Sequence, residues 1–242
     1  MAEQQTWQWP SRIALLADRS DASLYFGCKR FMDVTLAGLL VILLFPLLLV
    51  IAVLIKLDSP GPIFFTQERV GAKPQLLGRR AIWFIQNFTM YKFRSMVKNA
   101  DSSVHEAFIR DFVEGRHRPL WEYTGVFKLT NDPRITRLGR FLRKYSLDEL
   151  PQLLNVLKGD MSLVGPRPVP PYEVACYRNE HLKRLAALPG ITGIWQVQGR
   201  CRVAFEGMVR MDVEYIRNSS FLLDLKILLL TIPAVLSKRG AE

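Results

Sequence analysis

From Val34 to Ile55 the chain runs for 22 residues without a charge, between Lys29-Arg30 on one side and Lys56 on the other, with Pro46 near its middle. Coiled as a helix at about 1.5 Å per residue, such a run covers a bilayer core of roughly 30 Å, so the chain meets a membrane. Basic residues normally collect on the cytoplasmic flank alone. Here they stand on both sides, and the downstream flank continues into Arg69, Lys73, Arg79, Arg80, Lys92 and Arg94. Proline removes a backbone donor and crowds the preceding turn, so a sharp bend at Pro46 is physically reasonable. A helix that bends there, entering and leaving by one face, satisfies both flanks. An ordinary spanning anchor with a mild proline kink also fits the residues taken alone.

A cleavable leader is not expected, because about 33 residues precede the apolar run, the run exceeds an h-region, and no small-x-small site follows. Beyond Ile55 about 185 residues remain, enough for one domain with its own core. The formal net charge of +11 lies wholly after residue 28, since the first 28 residues set Glu3, Asp18 and Asp21 against Arg12 and Arg19. A basic protein beside a membrane meets anionic headgroups or phosphorylated substrates, with nucleic acid a third option. Cys28, Cys176 and Cys201 are odd in number and widely spaced, which suggests a reducing compartment and no disulfide or zinc framework. His105, His117 and His181 are isolated, so histidine ligation of a metal is not expected.

Residues 1 to 28 read as a partly ordered extension, with Trp7 and Trp9 packing on the domain or sitting at the membrane interface. The run from Gly61 to Gly71 reads as a strand after a turn, and Ile82 to Lys92 as a second strand, with a basic 72 to 80 loop between them. Val97 to about Arg116 reads as a polar helix. Beyond Leu138 helices dominate, separated by Gly159, by Gly165-Pro166-Arg167-Pro168 and by Pro189-Gly190. Ser220 to Leu236 is too short and too charged to span. It reads as an interfacial amphipathic helix closed by Lys238-Arg239, in preference to a core helix.

The chemistry gathers between Asp132 and Pro168. Arg134, Arg137, Arg140, Arg143 and Lys144 recur at three- and four-residue spacing, interleaved with Leu138, Phe141, Leu142 and Tyr145, giving a helix with one cationic and one apolar side. Ser146-Leu147-Asp148-Glu149 fits a capping box, and Pro151 places a helix start close to Asp148. Two carboxylates at the positive end of a helix, directly after an arginine cluster, suit an ionised aspartate and a bound phosphate. Such a pair can attack phosphorus with one carboxylate while the other holds a metal. It can equally be an N-cap with a dipole-pairing neighbour. Arg167 on a rigid Pro-flanked turn suits a bidentate phosphate contact, or the turn is a plain helix terminator.

Several segments together resemble the bacterial monotopic phosphoglycosyl transferases. These are Lys29-Arg30-Phe31-Met32-Asp33, Asp58-Ser59-Pro60-Gly61-Pro62, Phe65-Thr66-Gln67-Glu68-Arg69-Val70-Gly71, Tyr91-Lys92-Phe93-Arg94-Ser95-Met96 and Asp132-Pro133-Arg134-Ile135-Thr136. Ser146-Leu147-Asp148-Glu149-Leu150-Pro151-Gln152, Gly165-Pro166-Arg167-Pro168 and Pro189-Gly190-Ile191-Thr192-Gly193-Ile194-Trp195-Gln196 complete the set, in order over residues 29 to 236.

The resemblance implies a mixed α/β, helix-rich, monotopic membrane protein, with a re-entrant helix broken near Pro46 and amphipathic interfacial helices. Residues 1–28 would be an extension, 29–56 the membrane helix, and 57–242 a catalytic domain on the cytoplasmic face of the bacterial inner membrane. It implies transfer of a sugar 1-phosphate from a UDP-sugar to polyprenyl phosphate with Mg²⁺, among inner-membrane lipids and without nucleic acid; a homodimer is compatible with it. By position Asp148 matches the family's nucleophile and Glu149 its metal-binding neighbour, while Lys92, Arg94, Arg143 and Arg167 match basic positions for phosphate or nucleotide.

The multi-span N-terminal region of large family members is not seen in this chain, which resembles a compact catalytic unit or a portion containing one. Phe127-Lys128-Leu129-Thr130-Asn131 resembles enzymes that transfer glucose or galactose phosphate to begin exopolysaccharide, capsule or O-antigen assembly, and Cys201 stands where a serine is expected. The rival reading is a non-catalytic, basic, membrane-associated binding module.

Overall fold

The computed structural model describes residues 13–18, 22–77, 80–97, 103–115, 132, 134–198 and 203–236. Trp7, Trp9, Cys201, the Phe127–Asn131 segment and Lys238-Arg239 lie outside the described residues.

Helix α1 runs from Ala22 to Asp58 with Pro46 inside it. It begins inside the expected N-terminal extension and passes Pro46 without interruption of the helical run, whereas the sequence reading expects a break. One missing donor does not end a helix in apolar surroundings, where its neighbours re-satisfy the freed carbonyl. Two ends of α1 pack on the domain and its middle does not. Near the start Lys29 and Asp33 are buried and Ala37 enters the main core; near the end Ile51 and Ile55 are buried. Between and around them Leu39, Ile42, Leu43, Phe45, Leu49, Val50 and Val53 are each more than half exposed. Leaving these seven side chains more than half in water forgoes about 1 kcal/mol each, comparable to the whole net stability of an ordinary domain. That surface belongs in lipid.

Strands β2 (Phe64–Leu77) and β3 (Arg80–Phe93) pair antiparallel along their whole length, from Phe64 opposite Phe93 to Leu77 opposite Arg80. The expected basic loop over 72 to 80 is therefore mostly strand. Pro74 sits on an edge strand, where a missing N–H breaks no ladder bond of a central strand. The expected extension supplies a third strand, β1 (Ile13–Asp18), on the other side of β3, giving the order β1-β3-β2.

Helix α2 spans Ser103–Val113, inside the expected 97 to 116 stretch; Val97 lies outside it, and Ile109 and Val113 are buried where the sequence reading expects a polar helix. Then follow α3 (Arg137–Lys144), a single 3₁₀ turn at Leu147–Glu149, and α4 (Gln152–Lys158), which stops at Gly159 with φ 83° in the left-handed region that glycine tolerates. Strands β4 (Ser162–Val164) and β5 (Gly190–Thr192) form a parallel pair that three-residue runs do not advertise. Between them lie α5 (Pro171–Val174) and a 3₁₀ segment at His181–Leu185. The described residues end with α6 (Ile194–Gln198), α7 (Phe205–Asn218) and α8 (Phe221–Leu236). In α8 Asp224 and Ile227 are buried while Leu222, Leu229 and Ile232 are exposed, so one side packs on the domain and the other faces outward.

The main core gathers Ala37 of α1, Phe88 and Met90 of β3, Leu153 and Val156 of α4, Leu163 and Val164 of β4, Tyr215 of α7 and Ile227 of α8. A second cluster joins Ile51 and Ile55 to Phe93 and Leu142, with Leu147 and Leu150 packed against it.

Candidate active site

Helix α3 starts on Thr136, whose Oγ1 accepts from the Gly139 N–H at 2.9 Å, and it ends at Tyr145. The next residue, Ser146, has φ 55°, the one positive φ outside glycine among the described residues. A left-handed residue is the usual way to stop a helix, but a side chain there costs about 1–2 kcal/mol. The expected capping box does not form: Ser146 makes no side-chain cap bond, and α4 opens only at Gln152 with Pro151 in the cap position. Ser146 is spent on ending α3, so it cannot begin α4. Asp148 and Glu149 therefore sit in the 3₁₀ turn between two helices, not in the first turn of a long one.

This turn packs against the end of β3. Strand alternation sends Phe93 into the apolar cluster with Ile51 and Ile55, and sends Lys92 the other way. Lys92 Nζ donates to Glu149 Oε1 at 2.7 Å, and Arg167 Nη2 lies 3.8 Å from the same oxygen. The three line one cleft with Arg69, Gln152 and Gln196. Asp148 is 8% exposed and lies beside the cleft without lining it.

Arg167 is set by its loop. Gly165 N–H donates to Thr192 O at 2.9 Å, Gly190 N–H to Pro166 O at 2.8 Å, and Val70 N–H to Val169 O at 2.8 Å. A Cβ on Gly165 would fall 2.2 Å from Leu188 O, so only glycine permits this approach. Arg69 adds a bond from Nη1 to Pro168 O at 3.1 Å.

Two predicted phosphate contacts lie elsewhere. Arg94 is buried, and its Nη2 donates to Ile55 O at 3.0 Å and Ser59 O at 2.6 Å, so it closes the carbonyl-rich end of α1. Arg143 does not line the cleft; its Nη1 is buried without a hydrogen-bond partner among the described residues. It lies near Asp132, whose carboxyl is held below its ordinary range first by hydrogen bonds from Arg134 and further by the charges of Arg134 and Arg143. Asp132 and Arg134 form a fork of 2.7 and 2.9 Å bonds. Arg69, Gln152 and Gln196 were not singled out from sequence, although each lies within a quoted motif.

Among the described residues no three His, Cys, Asp or Glu side chains converge as a metal cage. Glu149 lines the cleft with a hard carboxylate donor whose Oε1 accepts from Lys92. That fits Mg²⁺, which commonly takes one or two carboxylates and completes its shell with phosphate and water.

A family profile described as bacterial sugar transferase matches residues 24–238. The chain belongs to the bacterial sugar transferase family. As a member it is an enzyme, a phosphoglycosyl transferase. It is 40% identical to the exopolysaccharide production protein ExoY of Sinorhizobium fredii, covering 88% of this chain and 87% of that protein. It is 42% identical to the undecaprenyl-phosphate galactose phosphotransferase of Salmonella typhimurium over 93% of this chain, which spans only 43% of that larger protein. A third relative is the UDP-N-acetylgalactosamine-undecaprenyl-phosphate N-acetylgalactosaminephosphotransferase of Aeromonas hydrophila, 38% identical over 90% of this chain and 46% of that protein. The matched region takes in the membrane helix, the Asp148-Glu149 turn and the Arg167 loop together.

Proposed function

We propose that this sugar transferase moves a sugar 1-phosphate from a UDP-sugar to undecaprenyl phosphate at the cytoplasmic face of the bacterial inner membrane, releasing UMP and opening exopolysaccharide, capsule or O-antigen assembly. The observation that carries the reading is the convergence of Lys92, Arg69 and Arg167 on one cleft around Glu149, with Asp148 adjacent and the membrane helix packed behind β3. The sugar is of the glucose or galactose type; galactose is in the names of several relatives.

In the mechanism an Asp148 oxygen attacks the phosphorus bearing the sugar, the bond to the UMP oxygen breaks, and UMP leaves. A phosphate oxygen of the lipid then attacks the same phosphorus, the bond to Asp148 breaks, and the carboxylate is restored. Lys92 and Arg167 face the charge that develops on the phosphoryl oxygens. Mg²⁺ held by Glu149 and the diphosphate would neutralise and orient the donor.

Contacts at both ends of α1 support a re-entrant path. Arg30 donates to the carbonyls of Val156 and Leu157 at the far end of α4, while Ile51 and Ile55 cluster with Leu147 and Leu150, just before α4. Leu150 and Val156 are about 9 Å apart along a helical path, whereas a straight helix puts about 32 Å between Arg30 and Ile51. A bend at Pro46 reconciles the two lengths and keeps both flanks on one side.

The test is UMP release from a panel of UDP-sugars with undecaprenyl phosphate and Mg²⁺. One productive donor identifies the sugar. Failure of every donor, with the protein folded and membrane-inserted, overturns the reading.

A further inference from the structure

Arg69 is the one cationic side chain of the cleft without a carboxylate in ion-pair range among the described residues. Lys92 pairs with Glu149 at 2.7 Å, and Arg167 reaches the same carboxylate at 3.8 Å. Arg69 instead donates from Nη2 to Gln67 Oε1 at 2.6 Å and from Nη1 to Pro168 O at 3.1 Å, both neutral acceptors. A guanidinium has five N–H donors. Two are used here, and Nε is buried without a partner.

The charges lining the cleft are three cations, Arg69, Lys92 and Arg167, against one carboxylate, Glu149, an excess of two positive charges. Arg69 is partly buried beside Arg167, a placement that desolvation and like-charge repulsion both oppose. Burial first, and Arg167 second, push the Arg69 guanidinium down to about 10. A bound dianion would relieve both effects.

We infer that Arg69 and Arg167 form a two-guanidinium clamp for the diphosphate of the nucleotide donor, with Arg69 on the inner wall and Arg167 at the open side. The inference rests on the proposed UDP-sugar chemistry. Arg69 holds Pro168, the residue next to Arg167, so one side chain both contacts the phosphate and sets the reach of its partner. The exposures agree with this division, because the Arg167 side chain is 40% exposed whereas Arg69 Nε is closed to solvent.

The experiment is calorimetric binding of UDP and of uridine to the full-length protein in detergent, for wild type, Arg69→Gln, Arg167→Gln and the double variant. Wild type should bind UDP far more tightly than uridine. Arg69→Gln should weaken UDP by about ten- to hundredfold, the usual worth of charge-assisted bonds, and leave uridine unchanged. The loss should persist in the Arg167→Gln background, because a direct contact does not need its neighbour. Unchanged UDP affinity in Arg69→Gln overturns the clamp and leaves the proposed function standing. A loss that vanishes in the Arg167→Gln background also overturns it, reducing Arg69 to a loop support. Wild type that binds UDP no better than uridine removes the diphosphate site itself. Should Arg69→Gln fail to fold, Arg69→Lys replaces it, with a smaller loss expected because lysine keeps the charge without the fork; equal affinity then overturns the clamp.

Discussion

Lys29 and Asp224, 195 positions apart, form a 2.8 Å ion pair with side chains 7% and 0% exposed. Lys29 also donates to Val164 O at 2.9 Å, and Tyr215 and Tyr25 both donate to the Asp224 carboxylate. The pair ties the first turns of the membrane helix to α8 and to β4, the strand that leads into the Arg167 loop. Removing one partner strands a buried charge, so Lys29→Met or Asp224→Leu alone should cost about 3–5 kcal/mol. The double change should recover part of that loss. Thermal unfolding in detergent measures all three, and additive losses would show that the two residues do not interact.

The topology proposal predicts that single cysteines placed ahead of Lys29 and after Lys56, in a background without native cysteines, are both shielded from a periplasmic thiol reagent. Labelling of the first from the periplasm would remove the re-entrant path. Pro46→Leu restores a backbone donor and should shift part of the population toward a spanning orientation.

At the reacting turn, Asp148→Asn keeps the side chain's shape in a site where it forms no helix cap. Folding and insertion should be preserved while turnover falls by about 10³-fold or more. Mass spectrometry of an acid-quenched mixture of enzyme, UDP-sugar and Mg²⁺, without lipid, should find a hexose-phosphate adduct on the peptide containing Asp148. Wild-type-like turnover in the variant would exclude a nucleophilic role.

Chelation tests the role proposed for Glu149. EDTA should abolish turnover and Mg²⁺ should restore it, and Glu149→Gln should need more Mg²⁺ than wild type. Full activity in excess chelator would mean that Lys92 and the two arginines suffice.

Acid stability tests the Asp132–Arg134 fork. Its hydrogen bonds depress the folded pKa of Asp132, so its contribution is present above the unfolded value of about 3.9 and is lost as pH falls through the lower folded value. Below about pH 4 wild type should lose melting temperature more steeply than Asp132→Asn. Parallel curves would mean that the fork adds nothing to stability.

The long apolar helix, the hairpin and the turn that carries Asp148 and Glu149 were legible because each is written in adjacent residues: an apolar run, β-rich segments, a motif. What escaped depends on partners distant in sequence. Ile13–Asp18 becomes a strand only because β3 has a free edge, and β4 and β5 are too short to carry a period. Ser146 looked like a cap because its spacing to Glu149 fits one, and the end of α3 claimed it first. The placements of Arg94 and Arg69 were hidden for the same reason. Charge and motif cannot tell an arginine that meets the carbonyls of α1 from one that lines a cleft, and the hairpin register decides which it is.

Lys92 and Phe93 are consecutive on β3, one in the cleft and the other against the end of the membrane helix. About 3.4 Å of strand therefore separates the cleft proposed to take the donor from the packing proposed to set the enzyme's depth in the bilayer. A lipid phosphate is anchored at a nearly constant height, so an enzyme that uses one must hold its cleft at that height as well. With this spacing the depth of immersion becomes a catalytic coordinate. A bilayer a few ångströms thicker or thinner would change the rate through the offset between two phosphates, without altering a single contact inside the protein.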